Sequence, residues 1–385
     1  MSEIKVRLFI NTHVFYKDLY LYPPNGVTWI GKYNVSDFEN LKLYEPGPTL
    51  IRNLAKKFYD FLNSPRFAYL YDAYKCDLIY SGRGVLILNK KPWVIDYEHV
   101  SHFVGLDRQR ILKKDIQYKI LKFLKSKYCK KILPHTKAAY NSFTGVFGNI
   151  LNDKTEILYH TMHPTPLQKR PEDDKIVILF NGNFYHKSGD IALEIFKKLN
   201  EQYNNLEMTV ISNPPVELIN KYKKNYPNIS FYKKGPGISR DQLINDFYMK
   251  SDIFLYPSQG DSNFPAVLLG MNAALPVVCS DYYAFPEVIQ DGVNGFLIHS
   301  HLGDIERKYP EKIVKYWEGE DVKIIREHKS EFISEAYDKM CKLIEDSILR
   351  RTMGMKGRKM LETGKFSIKK RNEQLLKIFN EIIKN

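Results

Sequence analysis

The stretch that decides the fold runs from residue 251 to residue 298 and reads SDIFLYPSQGDSNFPAVLLGMNAALPVVCSDYYAFPEVIQDGVNGFLI. Its first apolar run, Ile253–Tyr256, is short and bounded by polar and proline residues, as in a strand buried on both faces of a parallel sheet. A polar loop follows from Ser258 to Asn263, and Pro265 then opens a helix. Proline suits the first helical turn, where its missing N–H costs nothing. The free N–H groups of that turn can receive an anionic oxygen, and the helix dipole adds to the attraction. Nearby hydroxyl, amide and carboxylate groups can hold sugar hydroxyls. Pro276–Cys279 and Phe296–Ile298 read as two further strands. The segment predicts a strand–loop–helix–strand unit suited to a phosphorylated sugar.

Working outward, Ile176–Phe180 is another continuous apolar strand, ending in Asn181-Gly182-Asn183, with a helix starting near Ser188. Met208–Ile211 and Ile229–Tyr232 add strands, and a helix is expected around Asp241–Lys250. Open α/β sheets bind ligands beyond the carboxyl ends of their strands. The loops after Phe180, Tyr232, Tyr256 and Cys279 are therefore expected to share one crevice. From about Tyr309 the chain is charged and helical, closing with Phe366-Ser367 and a helix over Ile368–Ile383. The first half also alternates: a strand at Ile4–Ile10, a loop rich in Tyr, Pro and Gly through Pro48, and a helix from Thr49 to about Asn63. Strands at Asp77–Tyr80 and Trp93–Asp96, a basic helix over about Arg108–Lys131 and a strand at Ile132-Leu133 follow. Such alternation predicts a parallel sheet with crossover helices. The pattern dissolves around His160–Pro166, the expected boundary, where His160 and His163 read as solvated side chains rather than metal ligands.

At 385 residues the chain has material for two domains, and with 44% hydrophobic and 26% charged residues it can bury cores. No run approaches the ~18 apolar residues of a membrane span, and Met1–Leu8 lacks a secretory apolar core. The expectation is a cytoplasmic protein whose four scattered cysteines are reduced. The net charge of +14 fits nucleic acid, an anionic membrane or a phosphate-bearing small molecule. No nucleic-acid-binding signature accompanies it, so nucleic acid is not the expected partner. Between Arg108 and Lys131 ten Lys/Arg stand against one acid, Asp115, with Ile116, Ile120, Phe123 and Leu124 as an apolar stripe. This reads either as a peripheral anchor to an anionic membrane surface or as an ordinary amphipathic helix.

The runs SDIFLYPS, NFP, LPVVCSD and PEVI with DGVNGFLI strongly resemble the donor-binding half of GT-B glycosyltransferases, especially the retaining glycosyltransferase family 4. The resemblance implies an α/β protein of GT-B type, two Rossmann-like domains facing a central cleft. It implies an N-terminal domain over 1–165 on the acceptor side and a donor domain over 166–365. The helix of 366–385 would cross back to the first domain. The implied reaction moves a sugar from a nucleotide diphosphate sugar to a saccharide or lipid-linked acceptor, with retention and without metal or cofactor. No Asp-x-Asp motif is present. By the same resemblance His99 and Asp261 would act in catalysis. Gly182, Asn183, Lys187, Gly237, Ser258, Ser262, Asn263, Phe264, Pro265 and Glu287 would contact the donor.

The departures from that family carry weight. Its usual Glu-x7-Glu pair falls here on Ser262 and on Gly270 or Leu269, with Asp261 the nearest stand-in for the first carboxylate. The arginine that commonly follows the glycine is Asn183. Each loss would weaken donor binding by ~1–3 kcal/mol. The alternatives are therefore a catalytically silent GT-B scaffold that binds carbohydrate, or a GT-B nucleotide-sugar epimerase.

Overall fold

The computed structural model describes residues 3–10, 16–31, 63–171, 173–235, 238–260, 264–308 and 320–384. The helix expected over Thr49–Asn63 lies outside these residues apart from Asn63. The first half builds strands β1 (Ile4–Phe9), β2 (Val27–Ile30), β3 (Phe67–Ala68), β4 (Leu78–Ser81), β5 (Leu86–Ile87), β6 (Trp93–Tyr97) and β7 (Cys129–Pro134). Five of them form a sheet in the order β2-β1-β4-β6-β7, every pair parallel. The second half builds β8 (Ile176–Asn181), β9 (Leu206–Ile211), β10 (Ile229–Tyr232), β11 (Ile253–Tyr256), β12 (Val277–Ser280) and β13 (Gly295–Ile298). These pair in parallel in the order β10-β9-β8-β11-β12-β13.

The second order is the doubly wound pattern in which the chain starts in the middle and reverses direction between β8 and β11. Ligands bind where such a reversal opens a crevice. Both faces of a parallel sheet must be covered. The 189–200 and 329–345 helices cover one face, burying Ile191, Phe196, Met340 and Leu343 against Ile178, Phe180 and Leu255. The Pro265–Asn272 helix covers the other, with Val267, Leu268 and Met271 against Leu179 and Phe254. The first sheet reverses between β1 and β4. Its core includes residues from far along the chain. Leu375, Ile378, Phe379 and Ile382 of the Ile368–Lys384 helix pack with Ile4, Val6, Leu8 and Leu78. Arg371 fixes that helix by donating to the carbonyls of Asp18 and Tyr22 and to the Thr161 hydroxyl.

Three sequence expectations are corrected here. The stretch read as loop contains a helix at Tyr16–Leu21 and strand β2, because Val27-Thr28-Trp29-Ile30 pairs alongside β1. The Arg108–Lys131 helix is shorter: a turn at Arg110–Leu112, a helix over Lys114–Leu124, then Lys130 and Lys131 inside β7. β7 lies at the edge of its sheet, where charged side chains can reach solvent. His160 is 8% exposed and lies 3.7 Å, ring to ring, from His135, so it is not a solvated linker residue. His163 is exposed and stacks on Tyr22 at 4.4 Å.

Candidate active site

The second sheet places its chemistry at the carboxyl ends of β8 and β11. After Asn181 the chain turns through Gly182-Asn183 and returns to open the Gly189–Asn200 helix from Ser188, which sits in the left-handed region at φ 56°. The Lys187 stem lies directly over Gly182, where a Cβ would come within 2.6 Å of its Cγ. Glycine at 182 is thus what lets the lysine cross the strand end. Lys187 donates its backbone N–H to the carbonyl of Asn183, which faces solvent. On the neighbouring strand, Ser258 is fully buried and its hydroxyl makes no hydrogen bond among the described residues. The Asn181 side chain donates to the Tyr248 hydroxyl at 3.0 Å, while its buried Oδ1 has no partner among them. Buried polar atoms are rarely left unpaired, and these two flank the chain reversal. Phe264 precedes the Pro265–Asn272 helix, and its side chain supplies no cap. Gly270 faces Phe254 of β11 in the core, and the helix carries no carboxylate at all. Gly237, Asp261, Ser262 and Asn263 lie outside the described residues.

The facing side comes from the first sheet. His99 follows β6, is 4% exposed, and accepts the Ser101 N–H on Nδ1 at 3.1 Å. Burial, reinforced by Arg108, pushes its pKa well below the ordinary histidine value. His99 is therefore a neutral imidazole, with its proton on Nε2 as a donor. Its ring lies 6.0 Å from that of Tyr283 in the second half, whose hydroxyl donates to the Glu98 carbonyl.

Beneath this edge is a polar network that sequence reasoning missed. Asp96 at the end of β6 is fully buried and accepts from the Tyr16 hydroxyl at 2.6 Å, the Tyr80 hydroxyl at 2.8 Å and the Arg83 N–H at 2.7 Å. His135 Nε2 stands 3.3 Å away. Burial works to raise the Asp96 pKa, but the charge and hydrogen bond of His135 and the bonds from Tyr16 and Arg83 outweigh it, leaving the carboxyl below its usual range. A Cβ at Gly82 would sit 2.5 Å from the Tyr16 hydroxyl, so glycine there clears its path. The signal was one acidic residue ending a strand that is otherwise wholly apolar.

Glu287, expected at the donor, is placed across the domain boundary. Its carboxylate accepts the N–H groups of Lys137 and Ala138 at 2.7 and 2.8 Å and the Tyr159 hydroxyl at 2.8 Å. Both oxygens are thus engaged in capping the Lys137–Phe147 helix of the first half. Arg240 to Asp18 at 2.7 Å and Arg108 to Glu306 at 3.6 Å also join the two halves. Cys76, Cys129 and Cys279 are buried, Cys341 is half-buried, and all four are unpaired.

With this geometry in place, residues 175–318 match the family model described as glycosyl transferases group 1. The chain is 26% identical over 268 residues to an uncharacterized glycosyltransferase of Methanocaldococcus jannaschii, covering 65% of each chain. It is 22% identical over 225 residues to an uncharacterized 41.2 kDa protein of the Klebsiella pneumoniae cps region, covering 55% of this chain and 59% of that one. The matches therefore span under two thirds of either relative. Among solved structures, Anabaena HepE in complex with UDP superposes with a TM-score of 0.62 at 12% identity, covering 99% of this chain and 100% of that one. The chain has the GT-B fold, two α/β domains with parallel sheets facing a cleft.

Proposed function

We propose that this GT-B protein transfers a sugar from a nucleotide diphosphate sugar to a saccharide or lipid-linked acceptor, with retention and without a metal. One observation carries the reading: at the reversal between β8 and β11, the Lys187 stem crosses Gly182 past the end of β8, while past the end of β11 come the buried Ser258 hydroxyl, without a hydrogen bond among the described residues, and the start of the Pro265–Asn272 helix. A departing diphosphate develops negative charge, and a fixed ammonium with oriented N–H groups stabilises it best when water is excluded. As the glycosidic C–O bond to the phosphate breaks, the leaving phosphate takes the acceptor hydroxyl's proton and the new bond forms on the same face. Asp261 is the proposed stand-in for the missing first carboxylate. His99 Nε2–H offers the sugar a neutral donor.

UDP is the first probe, because the like-folded HepE structure contains it. Thermal stabilisation by UDP or a UDP-sugar, with nucleotide release on turnover, is the expected result. Ser258→Ala separates a ligand role from a packing role. Removing a hydroxyl that already lacks a partner leaves the melting temperature of the free protein unchanged or raised. Donor affinity falls about tenfold, the worth of one hydrogen bond of ~1–1.5 kcal/mol. Unchanged donor affinity in Ser258→Ala would remove that residue from the site. The absence of any carboxylate on the 265–272 helix favours a second reading, a silent carbohydrate-binding scaffold. Binding without turnover across nucleotide sugars supports it.

The proposed membrane contact of 108–131 narrows. Ile116, Ile120 and Leu124 are fully buried and Phe123 packs half-buried against the same core, so most of the apolar stripe is consumed there. Lys113, Lys114, Lys122, Lys125 and Lys127 remain exposed. Attachment to an anionic surface would then be electrostatic, ~1 kcal/mol per lysine, and reversed by salt. Co-sedimentation with phosphatidylserine vesicles at low salt that vanishes at high salt is expected; no sedimentation at low salt overturns the idea.

A further inference from the structure

On the far edge of the second sheet, the loop after β13 delivers His299 and His301, the latter opening the His301–Lys308 helix. His328 is the cap residue of the Lys329–Glu345 helix, and Glu331 lies in its first turn. The two helix starts meet. Oε2 of Glu331 is 3.2 Å from Nε2 of His301 and 3.4 Å from Nδ1 of His328. The His301 and His328 rings stack at 3.6 Å, and the ring of His299 lies edge-on to His301 at 4.8 Å.

We propose that His301, His328 and Glu331 form a binding site for a divalent transition-metal ion of the zinc class. One ligand atom from each lies within 4.8 Å of the others. Zinc takes imidazole nitrogen and carboxylate oxygen at 2.0–2.2 Å in a tetrahedron, whose edges are then about 3.3–3.4 Å. The 3.2 and 3.4 Å separations around Oε2 match that edge. Nδ1 of His328 is closed to solvent and makes no hydrogen bond among the described residues, although Oε2 is within reach.

Electrostatics chooses these three over the neighbouring set of His299, His301 and Asp304. There the Arg307 guanidinium already bonds both Asp281 and Asp304, and a second cation would be repelled. Around Glu331 the carboxylate itself supplies the charge that a cation would meet. Two nitrogens and one oxygen select zinc-class ions over magnesium or calcium, which prefer oxygen alone. The side chains of His301, His328 and Glu331 are 36%, 38% and 72% exposed, so an ion can enter from solvent. Binding separates the stacked rings by rotation about their own bonds. The ion ties the two helix starts together next to Ser300, whose hydroxyl holds Gln259 at the start of the polar loop.

The test uses the untagged full chain, stripped with chelator and titrated with zinc chloride by calorimetry. Cobalt(II) absorption reads the coordination geometry. Saturation at one ion per chain, a raised melting temperature and a tetrahedral cobalt spectrum are expected. His328→Ala and Glu331→Gln should each weaken zinc binding at least about tenfold, with unchanged melting of the metal-free protein showing that they fold. Lack of saturable binding by the wild-type chain overturns the proposal. So does a site of unchanged affinity in the His328→Ala, Glu331→Gln double variant.

Discussion

Asp96→Ala is expected to lower the free energy of unfolding by about 3–5 kcal/mol, the cost of removing one partner from a buried charged network. Two tyrosine hydroxyls, the Arg83 N–H and His135 all lose the carboxylate they face. Asp96, Tyr80 and Tyr16 are at most 1% exposed, so bulk solvent does not reach these groups in the native fold. Asp96→Asn keeps the shape but turns a donor toward donors, so it recovers part of the loss only. The pH dependence has a definite sign. The folded-state pKa of Asp96 is depressed, so its stabilisation is present above the unfolded value, about 3.9, and is lost as pH falls through the folded one. The Asn variant therefore shows a flatter acid limb in urea titrations. An acid limb as steep as in the wild type would mean that Asp96 does not hold the network.

The second large effect concerns turnover. Lys187→Ala should reduce kcat/KM for the nucleotide sugar by about 10–150-fold, the equivalent of one charge-assisted bond of ~1.5–3 kcal/mol. Gly182→Ala should approach the same loss without touching any charge. Its new methyl would fall 2.6–2.7 Å from the lysine stem and force the side chain off the strand end. Steady-state kinetics on both variants, with melting curves as a folding control, checks the pair. If Lys187→Ala lost activity while Gly182→Ala kept it, the lysine's path over the glycine would be irrelevant to its role. If neither changed, the diphosphate would lie elsewhere.

How much of this was legible depends on where residues sit in their sheets. β8, β11 and β12 are buried on both faces, so Ile176–Phe180 and Ile253–Tyr256 are unbroken apolar runs, and Val277–Cys279 reads almost as clearly. That is enough to read the strand ends at Gly182 and Ser258 from sequence alone. β2 is four residues long with one buried position, and β7 is an edge strand with two adjacent lysines, so neither carries a strong pattern. The Asp96 network escaped because its members are scattered from Tyr16 to His135, and only the fold brings them together. Glu287 is expected at the donor from the resemblance, but two of its partners lie about 150 positions away in the other half. A local motif cannot reveal a contact made at that distance.

The helix over 368–384 has a consequence for how the molecule comes into being. Ile4, Val6 and Leu8 are translated long before Leu375, Ile378 and Phe379, yet they share a core with them. During synthesis this face of the first sheet must wait for part of its cover while the entire second domain is made. The nascent chain is open to chaperones throughout that interval. The second domain can close first, so the order of translation and the order of completion run opposite ways.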